Sequence, residues 1–332
     1  MKKFNSKILL IILVSLGGIY FLTKVIKGAH SEGSLSRSFG KLDSASITKI
    51  VITPKGGKSK DLTFEKKGEL WFIQQDKLSV EADTNSLKRL LLEIIKLKPQ
   101  RLAAKSKEAW KEYQVEDTSA TRLKVYEAGD LKMDLMIGKF SFKQNQNPYS
   151  QYGGGGGGGN NVSATTFIRS YKETEIYAVE GFIAMALSQD FNSWRNQKFL
   201  LANKADLNRI IFNYPSDSSF SITRKDSVTW LIDAEKPDSA SMENLLNQIS
   251  YKMNQSFIDG YKPVGSPAYK VTIEGKNMSP IVVQAFRIDN STFALNSNLN
   301  PNAYFSSSLS ETFADIFVSR KAMLKKEKKK GK

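Results

Sequence analysis

Cysteine is absent from the 332 residues, and histidine occurs once, as His30. Without cysteine there is no disulfide framework, no thiolate metal site and no lipid-modified N-terminal residue. A single histidine leaves no His-based triad and no histidine cluster for a metal. Acidic residues are outnumbered, 33 Asp and Glu against 49 Lys and Arg, for a formal net charge of +16. The excess is not spread evenly. Lys2, Lys3, Lys7, Lys24 and Lys27 stand near the start, and eight of the residues 320–332 are basic. Residues 28–319 hold 36 basic and 32 acidic side chains, so the body of the chain is close to neutral. Lacking a basic folded face, the chain is not expected to bind nucleic acid.

Long uncharged apolar runs are confined to residues 8–22. As a helix these fifteen residues would span roughly 22 Å, short of a bilayer core of about 30 Å. Lys7 on one side and Lys24 and Lys27 on the other can snorkel, which lets residues 8–26 serve as the membrane-crossing segment. Cleavage after Ala29 would place Lys27 at the minus-three position. Cleavage after Gly17 would leave residues 19–22 as an apolar mature end. The run is therefore expected to stay as a signal-anchor. The very short N-terminal tail leads to the expectation that the large body lies outside the membrane.

What is present is repetition. Residues 47–52 (Ile-Thr-Lys-Ile-Val-Ile) reappear as residues 207–212 (Leu-Asn-Arg-Ile-Ile-Phe), and residues 70–73, with Trp71, as residues 229–232, with Trp230. Asp83, Ser86, Leu87, Leu90, Leu91 and Ile94 match Asp238, Ser241, Met242, Leu245, Leu246 and Ile249. Three anchors in one order are the mark of an internal duplication. Within one copy, residues 47–52, 61–65 and 70–74 read as three strands. Asp83 reads as the N-cap of a helix whose apolar face recurs at i, i+3, i+4 and i+7. Leu123 and Val125 answer Tyr269 and Val271, Gly129 answers Gly275, and residues 166–169 answer residues 292–295.

The expected fold class is α+β: two duplicated antiparallel-sheet-plus-helix domains behind one N-terminal transmembrane helix. The boundaries are 1–27 for the tail and anchor, 28–46 for a flexible stalk, and 47–190 for the first repeat. The second repeat is 191–318, followed by a basic disordered tail, 319–332. The first repeat carries an insertion, residues 139–164, with seven consecutive glycines. The second copy closes the same hairpin around Asp289 and Asn290.

This order of parts resembles a bacterial family known as domain of unknown function 4340. The likeness is carried by the basic N-terminal anchor, residues 43–50, the Gly68–Trp71 hairpin and Ala82-Asp83 before a Leu-rich helix. Ile137-Gly138, residues 176–179 and the Trp194-Arg195 link complete it. Where the family carries a Gly-Leu-Asp-Pro-like turn, this chain has residues 114–117, Gln-Val-Glu-Asp. The resemblance implies a membrane-anchored envelope protein associated with ABC-type transport or gliding-motility components. It brings no catalytic residues.

Motifs with chemical meaning find simpler structural explanations. Residues 56–59 (Gly-Gly-Lys-Ser) lack the first glycine of a phosphate-binding loop, whose place is taken by Ile52. Ser38 with Lys41, and Ser46 with Lys49, have a Ser-x-x-Lys spacing but no Lys-Thr-Gly partner. Asp83 and Asp238 are capping residues, and Trp71 and Trp230 lie on apolar strand faces. No catalytic, cofactor-binding or metal-ligating residue is assigned. The function expected is that of a non-catalytic accessory protein of an envelope complex, with the cytoplasmic membrane and an envelope protein as partners. The alternative is an envelope hydrolase with a site in the cleft between the repeats.

Overall fold

A computed structural model describes residues 39–57, 60–144, 162–309 and 311–324. The expected anchor, most of the stalk, the glycine run and residues 325–332 lie outside the described residues. Among the described residues no helix is long and apolar enough to cross a membrane. The chain divides into two compact units, Met1–Arg195 and Asn196–Lys332. Both are dominated by antiparallel sheet.

In the first unit, the alternation of residues 47–67 makes two strands, β1 (Ile47–Thr53) and β2 (Leu62–Lys67), followed by β3 (Leu70–Gln75) and β4 (Leu78–Glu81). Helix α1 (Thr84–Ile95) begins where Asp83 accepts a hydrogen bond from the Ser86 amide at 2.8 Å. Leu87, Leu90, Leu91 and Ile94 are buried on one face of it. Each such side chain contributes roughly 1.5–3 kcal/mol relative to an exposed position. After α1 come β5 (Pro99–Ala104), β6 (Thr121–Glu127), β7 (Asp130–Gln144), β8 (Val162–Ser170), β9 (Ile176–Glu180) and the short α2 (Ile183–Ala186). Nine strands form one sheet in the order β4-β3-β2-β1-β6-β7-β8-β9-β5. One face packs α1 over Phe64, Trp71, Val125 and Ile168. The other buries Met136, Phe167 and Ala178 under a 3-10 turn, Lys107–Trp110. Burial on both faces explains why β9 is apolar at four consecutive positions, without alternation.

The second unit begins with β10 (Lys198–Leu201), then β11 (Leu207–Asn213), β12 (Phe220–Arg224), β13 (Trp230–Ile232) and helix α3 (Ser239–Ser250). Asp238 caps α3 through the Ser241 amide at 3.0 Å. The chain continues as β14 (Tyr251–Met253), β15 (Tyr269–Gly275), β16 (Ile281–Arg287), β17 (Phe293–Ser297), β18 (Asn300–Ser306), α4 (Thr312–Ile316) and α5 (Arg320–Leu324). Its main sheet runs β13-β12-β11-β15-β16-β17-β18. That order is the same as β3-β2-β1-β6-β7-β8-β9 of the first unit. Both units carry a register irregularity at one corresponding place, Ile47/Lys49 and Leu207/Arg209. They differ at the margin. In the first unit β5 joins the main sheet beside β9, whereas β14 pairs with β10 apart from it.

Sheet register corrects several sequence expectations. Ile50 pairs with Val125 and Ile210 with Ile273, so Val125 corresponds to Ile273 and not to Val271. Likewise, Glu127 rather than Gly129 corresponds to Gly275. That slip of two keeps every side chain on its own face, which is why the apolar pattern still matched. Further along, Ile137 pairs with Ile168 and Ala285 with Leu295, which sets Arg169 against Asn296. The expected match of residues 166–169 to 292–295 is off by one, and a slip of one exchanges the faces.

Five boundaries also move. The expected insertion begins too early and ends too late, because residues 139–144 and 162–164 belong to the β7–β8 ladder. The stalk ends sooner, since Phe39 and Leu42 pack on the first core. Residues 191–195, expected in the second repeat, belong to the first unit, where Trp194 is 1% exposed and meets Phe64 edge-on at 5.3 Å. The expected disordered tail is ordered over residues 320–324. Met323 is 2% exposed in the second core, and its carbonyl accepts the Asp238 amide at 2.9 Å. Its lysine-rich remainder masked a preceding apolar contact from composition alone.

Candidate functional site

The polar groups that sequence reasoning weighed for chemistry are tied into the fold. Ser46 donates its hydroxyl to Asp43 at 2.7 Å, while Lys49 pairs with Glu65 at 2.9 Å. The Ser-x-x-Lys spacing thus joins no shared site at this position. Ser38, His30 and residues 58–59 lie outside the described residues. Asp83 and Asp238 each cap a helix, and Trp71 and Trp230 are both 7% exposed. Among the described residues no group of three or more His, Cys, Asp or Glu side chains is placed to hold a metal.

Sequence reasoning missed Arg169. The buried guanidinium on β8 donates to the carbonyls of Val115 at 2.8 Å and Tyr171 at 2.8 Å, and to the Asp117 carboxylate at 2.9 Å. Its Cζ lies 3.7 Å from the centre of the Trp110 ring. Burial pulls its pKa down and Asp117 opposes that shift. A neighbouring arginine, Arg122, stacks on Tyr171 and bonds Asp134 through two nitrogens at 2.8 and 2.7 Å, which raises its pKa. Arg169 staples the segment around residues 110–117 to the sheet, while Arg122 ties β6 to β7 within it. Gly138 permits that approach, because a Cβ there would lie 2.3 Å from the Tyr113 carbonyl. The sequence signal was a lone charged residue in an otherwise uncharged strand.

A concavity of about 560 Å3 lies in the second unit. Trp230, Met242 and Leu246 supply its apolar floor, and Lys204, Arg224 and Lys236 its cationic rim. A second hollow of about 360 Å3 adjoins it, and Ala205, Arg224 and Ser227 line both. Arg224 is fixed at this seam by the carbonyls of Ala205 at 2.8 Å, Leu207 at 3.2 Å, Asp226 at 3.1 Å and Ser227 at 2.5 Å. The adjacent Asp226 carboxylate accepts the amides of Val228 and Thr229, which hold its pKa below the usual range. The arrangement combines fixed positive charge with an apolar surface, which suits recognition of an anionic group carried on an apolar body. In the sequence these cations are scattered from residue 204 to residue 236, so no linear motif announces them.

A family model described as Domain of unknown function (DUF4340) matches residues 71–270, more than half of the chain. No curated protein and no solved structure matches it.

Proposed function

The chain belongs to the family described as Domain of unknown function (DUF4340), and on that premise we propose that it is a non-catalytic, membrane-anchored accessory protein of a bacterial envelope complex. In this reading an ancestral α+β unit was duplicated, and residues 8–26 hold the pair at the cytoplasmic membrane with the body in the periplasm. The complex is of the ABC-type transport or gliding-motility class.

The observation that carries the reading is how the polar side chains are engaged. Arg169 fastens a covering segment to a sheet, Arg122 pairs with Asp134 on the adjacent strand, Asp83 and Asp238 cap helices, and Lys49 pairs across a ladder. The remaining cationic concavity around Arg224 has the make-up of a recognition surface. The apolar run flanked by lysines supports the anchor.

Fractionation tests it. The full chain should stay in the membrane pellet through an alkaline carbonate wash and be released by detergent, and a chain lacking residues 1–27 should be soluble. Affinity purification from solubilised membranes should then recover envelope components. A carbonate-soluble full chain, or a mature N-terminus near residue 18 or 30, would sink the proposal.

A further inference from the structure

We propose that the concavity at Arg224 in the second unit is a receptor for an acidic, extended peptide segment of a partner, an inference that rests on the interaction-protein reading above.

The argument begins with charge compensation. Arg122 has Asp134, Arg169 has Asp117, and Arg320 has Asp233 and Glu235. Arg224 has no carboxylate within ion-pair distance among the described residues; its hydrogen bonds all go to carbonyls, and its guanidinium lies 5.7 Å from the centre of the Trp230 ring. Those four bonds hold the guanidinium still without cancelling its charge, and they leave one Nη2 hydrogen. A cation fixed in advance at a partly desolvated position loses little freedom when a carboxylate arrives. Lys204 and Lys236 add mobile positive charge at the same rim. Lys204 is turned toward the neutral Asn247 side chain rather than an acid. Glu243 is the one carboxylate lining this concavity. The balance therefore favours an anion.

The backbone argues for a peptide over other anions. In the first unit the Trp71 carbonyl points away from β2 and accepts the Ala82 amide at 2.8 Å. The register of the second unit puts Trp230 in the place of Trp71, and the capping aspartates put Pro237 in the place of Ala82. Proline has no N–H to give. Thr229 accepts from the Lys225 amide at 2.9 Å, so strand alternation turns the Trp230 carbonyl outward, beside Pro237. A backbone acceptor at the wall, an apolar floor and a fixed cation match an N–H, an apolar side chain and a carboxylate of an extended chain. A bare inorganic anion or a lipid phosphate lacks the first of these.

The test uses the full-length chain in detergent and fluorescein-labelled octapeptides, one alternating Glu and Leu, the other Gln and Leu. Fluorescence anisotropy should show binding of the Glu peptide that weakens as salt rises, and at least about tenfold weaker binding of the Gln peptide. The double variant Lys204→Glu/Lys236→Glu, which touches only rim side chains, should lose about tenfold or more for the Glu peptide. Arg224→Gln should abolish binding. Because Arg224 also holds four carbonyls, the rim variant decides the matter if Arg224→Gln fails to fold. Equal binding of the two peptides, or undiminished binding by the rim variant, overturns the proposal. So does capture by phosphatidylglycerol vesicles through the same lysines without peptide binding, which would assign the site to lipid. The assay does not depend on where the chain resides. A carbonate-soluble chain that binds the Glu peptide defeats only the membrane reading, and a membrane-retained chain that does not bind defeats only this one.

Discussion

The two units close in the same way with different side chains. In the first, the amide of the N-cap residue Asp83 donates to the carbonyl of Trp194 at 2.8 Å; in the second, the amide of Asp238 donates to Met323 at 2.9 Å. Both partners come from the last described stretch of their unit and are buried to within 2%. The helix N-terminus offers a backbone donor that must be satisfied, and the returning chain supplies the acceptor. Backbone geometry is shared, but the apolar filling is not. Trp194 meets the aromatic Phe64, whose place in the second sheet is taken by Ile222, and there the slimmer Met323 suffices.

That comparison breaks most sharply at Trp194. Trp194→Ala should destabilise the first unit by about 3–5 kcal/mol, through lost burial and a cavity beside Phe64. Trp194→Phe should cost far less, because the buried indole N–H has no hydrogen-bond partner among the described residues and its removal leaves nothing unpaired. Chemical denaturation gives the magnitudes. Hydrogen exchange should place the lost protection in residues 47–195; protection lost equally from residues 198–323 would show that the closure is not local to its unit.

The matching change in the second unit is Met323→Ala, expected to cost about 2–5 kcal/mol. Truncation after Ser319 should be at least as damaging, since it also removes the Arg320 pairs with Asp233 and Glu235 and the acceptor for the Asp238 amide. Truncation after Leu324, which removes mainly lysines, should leave Tm unchanged. If the two truncations behave alike, α5 does not close the unit.

Residues 320–324 show where sequence reading falters. Arg-Lys-Ala-Met-Leu looks like the start of a charged tail, and only one of its five side chains, Met323, is deeply buried. Strands and capped helices were legible because they depend on local period and on one polar side chain, as at Asp83 and Asp238. Edge strands such as β4, β5, β10 and β14 were not, because short partners borrow their order from a ladder formed elsewhere. Register was half legible: a two-residue error around Val125 preserves faces, but the single-residue error at Arg169 hid a buried cation. The concavity at Arg224 was illegible, because its parts meet only when the chain start before β11, the β12–β13 turn and α3 come together.

A smaller effect separates the two caps. Asp83→Ala and Asp238→Ala should each cost about 1 kcal/mol, the usual worth of a side-chain cap. The second cap has one bond more, from the Ser241 hydroxyl at 3.1 Å, so Asp238→Ala should cost slightly more. Ser241→Ala should remove that difference and leave the Ser241 amide bond intact. A loss at Asp83 larger than at Asp238, measured by urea denaturation, would show that the shared closing bond, and not the cap, dominates at this position.

The smallest expected effect concerns the turn that the second unit uses between β16 and β17, where the first unit has residues 145–161. The Asp289 carboxylate accepts the amides of Ser291 and Thr292, each at 2.8 Å. These bonds favour the charged form and hold its pKa below the usual value. Its unfolded pKa is about 3.9. The native turn therefore gains stability from this carboxylate above that pH and loses it as pH falls through the lower folded value. Asp289→Asn retains an acceptor oxygen without the charge. The stability difference between the native chain and Asp289→Asn should be largest near neutrality and shrink toward pH 2, while the same comparison for Asp238→Ala includes the loss of a whole cap at neutral pH. Asp289 is exposed, so salt should reduce the difference as well. A gap between native and Asp289→Asn that stays constant across this acid range would mean that the two amides are satisfied equally by the neutral side chain, and that turn shape rather than charge closes the hairpin.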